Sequence, residues 1–153
     1  IEWHFIGPIQ SNKCKLIAEN FSWVHSVDRI KVANKLNESL QERASLNVCM
    51  QVNISNEDTK SGLKFNEIDS LAKHINGLDK LTLRGLMAIP TNTNDDEILR
   101  NEYKRLKVIY EGLKKTYLSV DTLSMGMSND YLLAIENGAN LVRIGSKIFG
   151  KRT

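Results

Sequence analysis

Short apolar runs and longer amphipathic segments take turns along this chain from Trp3 to Gly145, and no other feature restricts its folding as strongly. When strand and helix alternate strictly, each helix carries the chain back across the sheet. Consecutive strands then run parallel and the crossovers are right-handed. The runs Trp3 to Gly7, Trp23 to Val27, Leu46 to Ile54, Leu81 to Ile89, Asp121 to Met125 and Leu141 to Gly145 read as strands. Between them the spacing predicts a helix on Cys14, Ile17, Ala18 and Phe21, then one capped by Asp28 on Ile30, Ala33, Leu36 and Leu40. A third rests on Phe65, Ile68, Leu71, Ala72 and Ile75, with Gly77 as a left-handed cap. A long helix from Asp95 to Thr116 carries the stripe Leu99, Tyr103, Leu106, Tyr110, Leu113 and Tyr117, suited to covering a sheet, and a shorter one spans Asn129 to Asn137.

Doubly wound sheets and (β/α)8 barrels both satisfy this order. The barrel is favoured because no Gly-rich dinucleotide fingerprint follows the first strand and because polar residues fall on one face of several strands. In the third strand Val48, Met50, Val52 and Ile54 alternate with Cys49, Gln51 and Asn53, which places the amides inside a barrel near its C-terminal mouth. Gly85 and Met87 share a face of the fourth strand. The chain opens Ile1-Glu2-Trp3-His4, with neither an initiator Met nor a signal-peptide pattern. The expectation is an α/β fold, an incomplete TIM (β/α)8 barrel with about six βα units and the first two strands missing. Residues 1–153 would form one domain, the C-terminal part of a longer chain.

Bulk properties narrow the function classes. With 25% charged and 41% hydrophobic residues, the composition is that of an ordinary globular protein, and no apolar run is long enough to span a bilayer. The net charge of +3 is scattered over helices, and the Lys151-Arg152 pair is too short to make a nucleic-acid footprint. Cys14 and Cys49 lack metal-ligand spacing to His4, His25 or His74, so they read as reduced thiols of a cytoplasmic protein.

Two turns carry the chemistry. Gly126-Met127-Ser128-Asn129-Asp130 and Arg143-Ile144-Gly145-Ser146 each stand where a strand gives way to a helical turn, whose free N–H groups and partial positive charge favour phosphate. Either glycine alone could be a turn residue; as a consecutive pair at the end of the chain, the turns match the phosphate loops that follow the last two barrel strands. Alternation puts Arg143 and Gly145 on one strand face and Val142 and Ile144 on the other. An inward arginine needs an acceptor, either a bound anion or cofactor or a structural carboxylate.

The segments Trp3 to Lys13, Val52-Asn53-Ile54-Ser55 with Thr59-Lys60-Ser61-Gly62, Leu83 to Pro90, Leu123 to Ser128 and Val142 to Ser146 resemble the pyridoxal phosphate homeostasis protein family. That family is similar in fold to the N-terminal barrel of alanine racemase, binds pyridoxal 5′-phosphate (PLP) and has no established turnover. The resemblance implies that Ser128 and the backbone around Gly145 and Ser146 hold the PLP phosphate, that Arg143 faces the pyridine nitrogen, and that Met127 and Met87 belong to the same cofactor-binding set. It implies no catalytic residue and no metal. The family's Schiff-base lysine belongs to an early strand ahead of this region, and no lysine here matches its motif.

Carriage of PLP, with transfer to apo PLP-dependent enzymes, is therefore the expected role, and the full-length protein is expected to be a monomer. A PLP-dependent amino-acid racemase, a phosphate-substrate isomerase or lyase, and an inactive self-associating fragment remain as alternatives. Lys60 reads either as a solvated loop residue or as a rim contact, His4 as a core or mouth residue, and Asn12 as bonding within its loop or to the site. Met87 reads equally well as core.

Overall fold

The computed structural model describes residues 1–40 and 45–150; the Lys151-Arg152 pair lies outside them. Six parallel strands, β1 (His4–Phe5), β2 (Trp23–Val27), β3 (Leu46–Val52), β4 (Leu81–Ala88), β5 (Thr122–Met127) and β6 (Leu141–Arg143), form one sheet in sequential order. A doubly wound sheet reverses its strand order to put helices on both faces; an unreversed order sends every right-handed crossover over the same face. The sheet is therefore a curved wall of barrel type, with helices outside.

Those helices are α1 (Cys14–Asn20), α2 (Ile30–Ser39), α3 (Ile68–Asn76), α4 (Asp96–Thr116), α5 (Tyr131–Glu136) and α6 (Ser146–Phe149). Strand ends move by a few residues from the sequence expectation: β1 and β6 are shorter, β3 stops before Asn53, and β5 runs on through Gly126. Three local readings are corrected. Asp28 does not cap α2, because Arg29 holds the N-cap position and takes the Asp28 carboxylate as its own partner at 2.6 Å. Ile30 is exposed, and Val32 takes its place on the buried stripe with Ala33 and Leu36. Gly77 is right-handed, φ −85°, because the helix tightens into a turn in which Leu78 N–H donates to the Ile75 carbonyl at 3.0 Å. The expected cap of α4 does form: the Asp95 carboxylate accepts from Glu97 and Ile98 N–H.

Val24, Val48, Met50, Val52, Leu83, Leu86, Leu123 and Met125 face outward and join the helix stripes in one continuous core. Trp23, Cys49 and Met87 form a separate small cluster on the inner face, with no helix residue in it. Register shifts in β2, β4 and β5 tighten the curvature. In β4 the step from Leu83 to Gly85 opposes the single step from Val48 to Cys49, so Arg84, which strict alternation sends outward, turns in. Its guanidinium lies 4.7 Å from the Trp23 ring centroid and bonds Asn47 and Asp121. Gly85 makes the bulge possible: its φ is +150°, and a Cβ there would stand 1.8 Å from the Thr122 carbonyl oxygen. Gly85→Ala should destabilise the complete protein by on the order of 3 kcal/mol, lowering its urea midpoint. An unchanged midpoint would contradict the bulge.

The inner face also buries His25 and Ser124 completely. Loss of solvation, followed by the nearby charges of His4 and Arg143, pushes the His25 imidazole down to about 4. Between pH 4 and 6.5 the unfolded chain binds a proton at this position that the folded chain refuses, so stability falls as pH drops through that window. The loss should approach about 3 kcal/mol at the low end, and chemical denaturation of the complete protein and its His25→Gln variant across these pH values measures it. Equal slopes in the two proteins would remove His25 as the cause.

Candidate functional site

The two phosphate-like turns meet. Gly126, at φ +93°, lets β5 pass close under α5; a Cβ there would come within 2.6 Å of the Ala134 methyl. Beyond it Asp130 folds back, one carboxylate oxygen accepting from Met127 N–H at 2.7 Å and the other from the Tyr103 hydroxyl. That turn presents Ser128, whose Oγ accepts from the N–H groups of Gly145 at 3.2 Å and Lys147 at 3.4 Å. Two backbone donors at the start of α6 thus converge on a single oxygen. A phosphate oxygen can satisfy donors of this kind equally well.

Arg143 lies on the inner face, as alternation requires. One Nη donates to Ser124 Oγ at 2.8 Å and the other to the Ala88 carbonyl at 2.9 Å. Burial pushes the guanidinium below its ordinary range, partly offset by the nearby Tyr103 and Asp130. Among the described residues no carboxylate forms an ion pair with it. A half-buried, fixed cation with neutral acceptors on two of its five donors retains capacity for a further acceptor.

That capacity borders a cavity of about 450 Å³ whose lining includes Met127, Ser128, Arg143, Gly145 and Ser146. Five of the six residues named from sequence are therefore together. The sixth, Met87, lines an adjoining cavity of about 240 Å³ with Gln51 and Asn53. Lys60 borders both cavities, its ammonium 2.9 Å from Glu57 and 3.4 Å from the Pro90 carbonyl. The amides of Gln51 and Asn53 turn to the mouth as expected, but they bond the carbonyls of Glu57, Lys60 and Ser61 and hold the loop. A larger groove of about 870 Å³ lies between the outer flanks of α3 and α4, and none of the turn residues reaches it. Asn12 is exposed on a 3₁₀ turn, and His4 Nδ1 is 2.9 Å from His25 Nε2.

The supporting roles of four residues escaped the sequence reading. Glu102 and Tyr103 rise from neighbouring positions of α4, Glu102 bonding the backbone and hydroxyl of Thr91 and Tyr103 bonding Asp130, so that one helix ties down the loops on two sides of the cavity. Glu102 left a signal: it is a carboxylate at stripe spacing, between Leu99 and Leu106 on the helix face that carries the apolar residues. Ser124 and His25 left none, since a lone polar residue within a strand has no distinguishing pattern. Among the described residues no three His, Cys, Asp or Glu side chains gather as metal ligands, and no helix is long and apolar enough to cross a membrane.

Residues 2–153 match the family described as alanine racemase, N-terminal domain. The chain is 51% identical over 153 residues to a pyridoxal phosphate homeostasis protein of Vibrio alginolyticus, an alignment covering 99% of this chain and 66% of that one. Other curated relatives with the same name are similarly spanned over 65–66% of their length. Among solved structures, PipY of Synechococcus elongatus without PLP superposes with a TM-score of 0.90 at 29% identity, over 98% of this chain and 71% of PipY. PipY with PLP bound gives a TM-score of 0.84 at the same identity and coverage. The converging turns, the inward arginine and these likenesses agree: the chain belongs to the alanine racemase N-terminal domain family and, within it, to the pyridoxal phosphate homeostasis proteins.

Proposed function

We propose that the complete protein binds PLP at the 450 Å³ cavity and carries it between sites of synthesis and use, without turnover of its own. The observation that carries this reading is Arg143: a half-buried guanidinium with neutral partners, bordering a cavity whose lining also includes the Gly145 turn and its backbone N–H. A phosphorylated aromatic with a ring acceptor fits that pair of features, because its anionic end suits the turns and its ring nitrogen suits the arginine. Relatives named for PLP homeostasis, and PipY with PLP bound, support the same ligand.

In this reading Ser128 and the N–H groups of Gly145 and Lys147 hold the phosphate, with Ser146 beside them. Arg143 would contact the ring, with Met127 beside it and Met87 behind, in the adjoining cavity. Bound PLP supplies an aldehyde that reacts with amines and a ring that can withdraw electrons. Arg143 limits the second capacity, because a fixed cation at the ring nitrogen opposes its protonation. That suits carriage better than carbanion chemistry. Residues 1–153 act as one domain, and two further strands of the complete protein, one of them bearing the covalent lysine, bridge β6 to β1. The single-sided pairing of β1 and β6, the exposed Trp3, Ile6, Ile148 and Phe149, and the unpartnered buried indole N–H of Trp23 support that closure.

The two glycines of the turns separate scaffold from site. A methyl at Gly145 meets nothing within 4 Å, so Gly145→Ala in the complete protein should melt like wild type. It should nevertheless bind PLP about tenfold more weakly, equivalent to about 1.4 kcal/mol. Gly126→Ala should lose stability instead. Unchanged PLP affinity in Gly145→Ala would remove the turn from the binding site.

Arg143→Leu should lower PLP affinity at least about tenfold as judged by absorbance titration. Wild-type protein should pass PLP to an apo-enzyme while leaving amino acids unchanged. Racemisation or decarboxylation at an enzyme-like rate would overturn carriage.

A further inference from the structure

Arg143 is the end of a hydrogen-bonded series that crosses the barrel interior from β6 to β1. Its Nη1 lies 2.8 Å from Ser124 Oγ, which is 3.0 Å from His25 Nδ1, and His25 Nε2 is 2.9 Å from His4 Nδ1. A guanidinium can only donate, so Ser124 Oγ accepts from it. Ser124 is fully buried, and its own proton then needs an acceptor; His25 Nδ1 is the neighbour placed to take it. Once Nδ1 accepts, the proton of neutral His25 resides on Nε2 and is donated to His4 Nδ1. The remaining His4 nitrogen, Nε2, faces the Glu2 carboxylate at 3.6 Å. In this direction every contact pairs one donor with one acceptor. Were His25 Nδ1 the donor instead, the buried Ser124 hydroxyl proton would have no acceptor among the described residues.

We propose that Ser124 and His25 are positioning residues, forming a relay of fixed donor direction that aims the Arg143 guanidinium into the cavity. This rests on the reading of Arg143 as the ring contact for PLP. Ser124 takes one Nη and the Ala88 carbonyl takes the other, so the plane is held at two points and the remaining N–H bonds are left for the ligand. His25 keeps the serine hydroxyl from rotating: its Nδ1 captures the proton, and the serine lone pairs stay turned toward Arg143. The stack of His4 on Trp23, centroids 5.1 Å apart, holds the far end of the series.

The complete protein, labelled with ¹⁵N-histidine and free of PLP, tests the relay by long-range ¹H–¹⁵N correlation at neutral pH. His25 should be neutral with its proton on Nε2, and Ser124→Ala should abolish that preference. PLP titration of the same proteins should show Ser124→Ala binding about tenfold more weakly with a shifted ring absorbance, while Ser124→Thr, which keeps the oxygen, restores affinity and spectrum. A proton on His25 Nδ1 in the wild type would overturn the relay, as would equal losses in Ser124→Ala and Ser124→Thr or no loss in either. If Ser124→Ala does not fold, the wild-type tautomer and the threonine variant still decide. A wild-type protein that bound no PLP would sink the functional reading, and the tautomer, measured without PLP, would judge the relay separately.

Discussion

Placing the Arg143 guanidinium inside a parallel barrel wall is unfavourable by several kcal/mol unless acceptors surround it, and much of the interior is arranged around that requirement. Ser124 and the Ala88 carbonyl meet it from β5 and β4, His25 backs the serine from β2, and the cavity takes the side that protein leaves open. A carboxylate partner would neutralise the charge and close the site. Neutral acceptors hold the cation in place while leaving its charge available to the cavity.

The outer layer serves the same end of the wall. Parallel strands all deliver their C-terminal ends to one rim, so the loops after β3, β4, β5 and β6 crowd together there. Crowding alone does not shape a site. The α4 helix supplies the restraint, with Glu102 on the loop after β4 and Tyr103 on the turn after β5. Desolvation and the Asp130 carboxylate push the Tyr103 phenol well above its ordinary range, so it remains a hydroxyl donor. The turn after β5 then meets the turn after β6 through Ser128. Helix stripe, loop anchor and the backbone donors at Ser128 are thus successive links of one packed unit.

Much of this was legible because it follows from local periodicity. The strand and helix order, the α4 stripe with its Asp95 cap, and the sidedness of β3 and Arg143 all arise from spacings of two or of three to four residues. The same rules misplaced Asp28 and Gly77, where a neighbouring arginine and a tightened helix end outcompeted the default cap. Arg84 was missed for a related reason, since a bulge shifts the parity that alternation counts on.

By itself the sequence determined which segments are strands, which face of each is apolar, and that two glycine-bearing turns end the series, since these depend on neighbours a few residues away. Tertiary structure alone decided that Ser128 bonds the backbone of Gly145, that Arg143 lacks a carboxylate partner among the described residues, and that Ser124 and His25 stand behind it. Those contacts join residues 17, 19 and 99 positions apart. Their distances are set by the register and curvature of the six-stranded wall, which no local spacing encodes.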